Sequence, residues 1–104
     1  MTNRQLNREL ARHGLCMPWN VVLETVRVAG IVSSGTHGTG KNTSTVGDLV
    51  DALEVIDATG TFRVLSDASV GPEIMRAVRM GLGLFGVIAR VRLRVAPTHR
   101  VAQT

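Results

Sequence analysis

An α+β fold, an antiparallel sheet flanked by helices, follows from three stretches of this 104-residue sequence. Asp57-Ala58-Thr59-Gly60 is a turn signal, and the residues on either side read as the arms of a hairpin. Ala89, Val91, Leu93 and Val95 alternate with Arg90, Arg92 and Arg94, the period of a half-buried strand. Helical spacing occurs over residues 3–13 and again from Pro72 to Met80. The length suits one domain or part of one. Apolar residues make up 44% of it, few of them aromatic, which predicts an aliphatic core and argues against disorder. No apolar run reaches the roughly 18 residues of a membrane helix, and no apolar stretch follows the N-terminus as in a secretory signal. The single Cys16 excludes an internal disulfide and fits a reducing, cytoplasmic compartment.

In chain order, the first helix places Leu6, Leu10 and His13 in one row, with Asn3 as its N-cap and Gly14 at its end. Pro18 makes residues 15–20 an extended link, with Trp19 as an anchor. Residues 21–32 are apolar and β-branched, and strand and short helix both fit them. The segment 46–57 has the same ambiguity. The hairpin decides it in favour of a strand over about 48–57, paired with Thr61 to Leu65. Pro72 opens a helix that points Ile74, Ala77 and Val78 inward and Arg76 and Arg79 outward. Gly81, Gly83 and Gly86 loosen the chain before the alternating strand, which Pro97 ends; residues 98–104 carry no packing signal.

Within this frame lies Ala29-Gly30-Ile31-Val32-Ser33-Ser34-Gly35-Thr36-His37-Gly38-Thr39-Gly40. Glycine has no Cβ, so such a loop can bring backbone N–H groups against something flat or anionic. Gly35 to Lys41 fits the phosphate-binding pattern G-x-x-x-x-G-K, but Asn42 stands where Ser or Thr should hold magnesium. Asp57 follows Lys41 too soon for a crossover helix between parallel strands. A dinucleotide pyrophosphate also suits the glycines, although G-x-G-x-x-G is absent. These residues therefore say anion or cofactor, without choosing between them. A third reading is a small basic module, because the net charge is +4 and arginines line one strand. The charge is spread without a basic block, which favours a solvated surface. His37 fits either a contact to a cofactor or a bond to loop backbone. Ser33 and Ser34 lack a G-x-S-x-G frame and favour local hydrogen bonds. Asp48, Asp51, Glu54 and Asp57 form an acidic stretch without a definable catalytic pair. No catalytic residue is assigned. No pair among His13, His37, His99 and Cys16 has metal-ligand spacing.

Three segments taken together resemble one family. Leu10 to Leu15 followed by a proline is similar to its "L-x-x-H-G-L-x-x-P". Ala29 to Gly40 is similar to "A-G-x-I-x-x-G-T-H-G-T-G", and Gly81 to Ile88 with the strand after it to "G-L-G-A-L-G-V-I-T-x-V-T-L". Their order resembles the PCMH-type FAD-binding domain of the vanillyl-alcohol oxidase superfamily. The nearest branch is that of the sugar-lactone and polyol oxidases, with L-gulonolactone oxidase, D-arabinono-1,4-lactone oxidase and alditol oxidase among its members. The resemblance implies that residues 29–45 wrap the isoalloxazine side and pyrophosphate of FAD. Contacts would come from Gly30, Ser33, Gly35, Thr36, His37, Gly38, Gly40, Asn42, Thr43, Ser44 and Thr45, with Ile88 approaching from the other side. Gly30 would allow close packing within a short helix, making residues 25–32 helical. The implied chemistry is hydride transfer from a carbinol C–H of a sugar lactone or polyol to flavin N5, with reoxidation by oxygen or another acceptor. The resemblance further implies that residues 1–97 are the second subdomain of the flavin fold and 98–104 a tail. An "R-G-x-G-H-S"-like phosphate loop would precede this piece and a substrate cap domain would follow it. On that expectation the isolated chain binds FAD weakly or not at all and does not turn over. The full-length protein could associate with a membrane.

Overall fold

The structure, a computed structural model, describes residues 1–102. Its first element is α1 (Asn3–Arg12). Thr2 caps it rather than Asn3: Gln5 N–H donates to Thr2 Oγ1, and Thr2 N–H donates to Gln5 Oε1 at 2.8 Å. Asn3 lies one position inside and is fully buried. Its Nδ2 donates to Val21 O (3.3 Å) and Leu23 O (3.0 Å), while its Oδ1 accepts from Asn20 Nδ2 at 2.9 Å. The inner face of α1 is thus partly amide, and His13, expected on the apolar row, is exposed beside Glu9. Leu6 and Leu10 do pack against the core. Gly14 follows with φ +66, as an αL residue past a helix end should.

Strand β1 (Leu15–Cys16) pairs antiparallel with β5 (Ala96–Pro97). Residues 17–27 then run as an irregular strap. Helix α2 (Val28–Ser33) resolves the ambiguous segment, and it starts only at Val28, later than the helix over residues 25–32 that the resemblance implies. Val28, Ile31 and Val32 are its buried residues, at the i, i+3, i+4 spacing of one helix face. The strand expected from residue 48 starts at Val50, as β2 (Val50–Ile56), because a 3-10 turn occupies Val46–Leu49. Asp48 holds that turn by accepting from the backbone and side chain of Thr45. Thr45-Val46-Gly47-Asp48 is the T-x-x-D spacing of a capping box, a signal legible in the sequence.

The hairpin forms as expected. Asp57 Oδ1 accepts from Thr59 N and Thr61 N, and β3 (Phe62–Ser66) returns with Leu53 opposite Leu65 and Val55 opposite Arg63. A short α3 (Asp67–Val70), not foreseen, is capped by Ser66. Helix α4 (Pro72–Arg79) begins at Pro72, but its inward residues are Met75 and Val78. Ile74 and Ala77, expected inward, are exposed. Arg79, expected outward, folds back: its Nε donates to Val50 O at 3.0 Å and its guanidinium meets Asp67 at 3.3 Å.

Strand β4 (Val87–Leu93) completes an antiparallel sheet in the order β3-β2-β4. Glu54 faces Arg90 while Val55 faces Ile88, so Ala89 is an extra residue, a β-bulge. The bulge shifts the phase. Ile88, Val91 and Leu93 turn toward the core, whereas Ala89 and Val95, expected with them, are exposed. Leu49, Val50, Leu53, Val32, Val46 and Met75 are the centre of the core between the sheet and the helices. Of the expected tail, Thr98 N–H donates to Gly14 O at 2.9 Å, and residues 103 and 104 lie outside the described residues.

Candidate functional site

The glycine loop leaves α2 and returns at Thr45, pinched by an antiparallel bridge between His37 and Thr45 and by Val46 N–H donating to Thr36 O at 2.9 Å. Two glycines are needed for this path. Gly35 has φ +66, which a side chain rarely adopts, and a Cβ there would meet Met80 Sδ at 2.6 Å. A Cβ on Gly38 would meet Asn20 O at 2.5 Å. The strap thus lies directly on the loop. It is fixed there by Trp19 Nε1–H donating to Thr45 O at 2.9 Å and by Asn20 Nδ2 bonding Asn3 and Asn7. This amide network was not anticipated. Asn3, Asn7 and Asn20 show no periodicity that separates them from surface polar residues.

Gly30 has no such neighbour. The space where its Cβ would stand is open for 4 Å, so the expected close packing does not occur. Glycine inside a helix costs roughly 0.5–1 kcal/mol relative to alanine. Here that cost leaves bare backbone facing a groove of about 370 Å³, which Ser34 and Thr36 also line. Ser34 Oγ donates to Gly30 O at 2.8 Å and lies 2.7 Å from Thr36 Oγ1. Ser33 bonds the same carbonyl, its Oγ donating to Gly30 O at 3.3 Å. With Ile88, Gly81, Phe85 and Gly86 it lines a small cleft on the β4 side of α2. Ile88 also borders a groove of about 550 Å³ that runs along β4 beside Val28 and Ala29. The structure therefore brings Gly30 together with Ser33, Ser34 and Thr36, and Ser33 also borders the cleft that Ile88 lines.

The returning arm is engaged by the protein itself. Thr43 Oγ1 donates to Gly40 O at 2.8 Å, and Ser44 Oγ and Thr45 Oγ1 donate to Asp48. The Ser44 hydroxyl, then that of Thr45, hold the Asp48 carboxyl below the usual carboxylate range. Asn42 and Lys41 are exposed at the turn. His37 Nδ1 is 2.8 Å from Gly38 O; a carbonyl only accepts, so Nδ1–H is the donor.

Geometry removes the triphosphate reading. A phosphate loop runs from a strand into a helix, but this loop runs from α2 into a 3-10 turn. Asp57 is bound by its own hairpin, which with Arg63 and the Thr59 hydroxyl lowers its carboxyl pKa, the Thr59 bond foremost. Two arginines of the row pair with carboxylates of the acidic stretch, and the third reaches a backbone carbonyl. Arg90 meets Glu54 at 3.3 Å, Arg92 meets Asp51 at 3.6 Å, and Arg94 donates to Asp48 O. Among the described residues no group of three or more His, Cys, Asp or Glu could hold a metal. No helix among them is long and apolar enough to cross a membrane.

A glycine-bared helix between apolar grooves, with a hydroxyl-rich loop beside it, suits a flat cofactor carrying an anion. The chain belongs to the FAD binding domain family, whose pattern matches residues 1–66. The cofactor of that domain is FAD. The chain is 33% identical to L-gulonolactone oxidase of Bos taurus over 99 residues, covering 95% of this chain and 22% of the bovine protein. It is 33% identical to D-arabinono-1,4-lactone oxidase of Yarrowia lipolytica over 100 residues, covering 96% of this chain and 19% of the yeast protein. A long-chain alcohol oxidase of an uncultured marine euryarchaeote is 30% identical over 96% of the chain and 21% of its own length. The chain thus spans about a fifth of the length of these relatives.

Proposed function

We propose that this chain forms one wall of the FAD site of an oxidoreductase that acts on a CH–OH group of a sugar lactone or polyol. The observation that carries this is the open backbone of Gly30 in a groove with Ser34 and Thr36, on a helix whose other flank opens to Ile88. When bound, FAD accepts a hydride from the CH–OH donor and passes the electrons to oxygen or another acceptor. The residues here bind and orient the cofactor. Gly30 admits it to the helix backbone, and Ser34 and Thr36 offer hydroxyl oxygens along its edge. Gly35 and Gly38 keep the loop on its path, and Asp48 fixes the returning arm of Asn42 to Thr45. The names of the lactone oxidases support the substrate class. The alcohol oxidase broadens it to CH–OH donors at large.

In this reading residues 1–97 are a partial FAD-binding domain, and residues 98–104 add nothing to the site. The wall takes up FAD weakly and, with no catalytic group of its own, turns nothing over. Titration of the purified chain into FAD, followed by flavin fluorescence, should show weak saturable binding. Incubation with L-gulonolactone or D-arabinono-1,4-lactone should leave bound flavin oxidised. Robust lactone oxidation by the chain alone would overturn the one-wall reading, and absence of any FAD uptake would overturn the site.

A further inference from the structure

Arg27 lines both grooves, the one beside Gly30, Ser34 and Thr36 and the one along β4 beside Ile88. It therefore stands on the divide between them. Its backbone is pinned there, as the N-cap of α2 (φ −80, ψ 138) and in a bridge with Thr2. Its side chain makes no capping bond. Among the described residues it also forms no salt bridge, unlike Arg90 on the rim of the β4 groove, which Glu54 engages. Arginine serves the helix poorly at this position. Ser, Thr, Asp or Asn would satisfy the first-turn N–H groups, and a cation at that end opposes the helix dipole. An uncommitted guanidinium held against its local preference, between two apolar grooves, matches one feature of FAD. The cofactor carries two flat ring systems joined by a doubly charged pyrophosphate.

We propose that Arg27 binds the pyrophosphate of FAD, with one ring system in each flanking groove. This rests on the reading that FAD lies against α2. The planar fork of arginine can donate two parallel N–H bonds to phosphate oxygens, a charge-assisted contact that lysine makes only as a point charge.

The test is calorimetric titration of the full 104-residue chain with FAD, ADP and riboflavin. Riboflavin keeps the isoalloxazine and lacks phosphate. Arg27→Gln should weaken FAD and ADP by about ten- to a hundredfold and change riboflavin by less than about twofold. Arg27→Lys should recover part of the loss. Arg76→Gln, which removes an exposed charge on α4, should match the parent chain, and circular dichroism should superimpose for all four proteins. FAD binding that survives Arg27→Gln unchanged overturns the role of Arg27 and leaves the FAD site standing. So does an equal loss for riboflavin and FAD, which would mean a structural effect. A parent chain that takes up neither FAD nor riboflavin overturns the FAD reading itself.

Discussion

Asp48 ties the returning arm of the loop to the sheet, through Ser44, Thr45 and the 3-10 turn they share. Its folded pKa lies below the ordinary 3.8. The stability it adds is therefore fully present above that value and is lost as pH falls through the folded pKa beneath it. Asp48→Asn should lower stability at neutral pH by about 1 kcal/mol, the usual worth of a cap. It should also flatten the acid limb of the stability profile, which urea unfolding from neutral pH to below 3.8 would show. The glycines separate by role. Gly38→Ala drives a methyl into Asn20 O and should cost roughly 1–3 kcal/mol, the range for overpacking. Gly30→Ala meets nothing and should stabilise α2 by about 0.5–1 kcal/mol while weakening FAD uptake, a pair of effects that thermal melts and flavin titration would register together. At this scale the sequence showed where the loop is, because clustered glycines are visible in one dimension. It did not show which glycine is open and which is covered. That depends on Asn20 and Met80, which are remote in the chain.

Helix α4 and strand β4 were both legible as elements; α4 was misread in phase, and β4 only at Ala89 and Val95, since Val91 and Leu93 face the core and the arginines face out as expected. Ile74 and Met75 are adjacent and equally apolar, so the helical stripe admits either. Packing selects Met75, which is fully buried, and leaves Ile74 at 53% exposure. Met75→Ala should cost about 2–5 kcal/mol and Ile74→Ala under about 0.5 kcal/mol in chemical denaturation, and the reverse order would contradict the phase. In β4 the alternation is real, but the bulge at Ala89 slips it, and a bulge leaves no mark on composition. The missed start of β2 has another cause. Thr45 and Asp48 announce a capped turn, a signal that outweighs strand propensity over four residues.

Across the whole molecule, most acidic residues are spent on arginines, which leaves the positive charge dispersed and the grooves apolar. Large apolar side chains remain outside: Val22 and Leu84 at 87%, Leu82 at 72% and Val87 at 69% exposure. Leu82 also holds φ +48, an uncommon conformation for a side chain of its size. A chain of this length with such a surface should self-associate as its concentration rises. Sedimentation should show this, and the double variant Val22→Asp, Leu84→Asp should remain monomeric to higher concentration with stability changed by less than about 0.5 kcal/mol.

The two-residue ladder of β1 and β5 has a kinetic consequence. Leu15 pairs with Pro97 and Cys16 with Ala96, from opposite ends of the sequence, so the ladder closes a loop of most of the chain for very few hydrogen bonds. The entropy of that closure is lost before any contact rewards it. The hairpin and α4 can fold from neighbours in sequence, whereas the ladder must wait for the sheet. In refolding, hydrogen exchange should protect Leu53 and Val55 before Cys16, and the docking of the chain's two ends should be the last step to native structure.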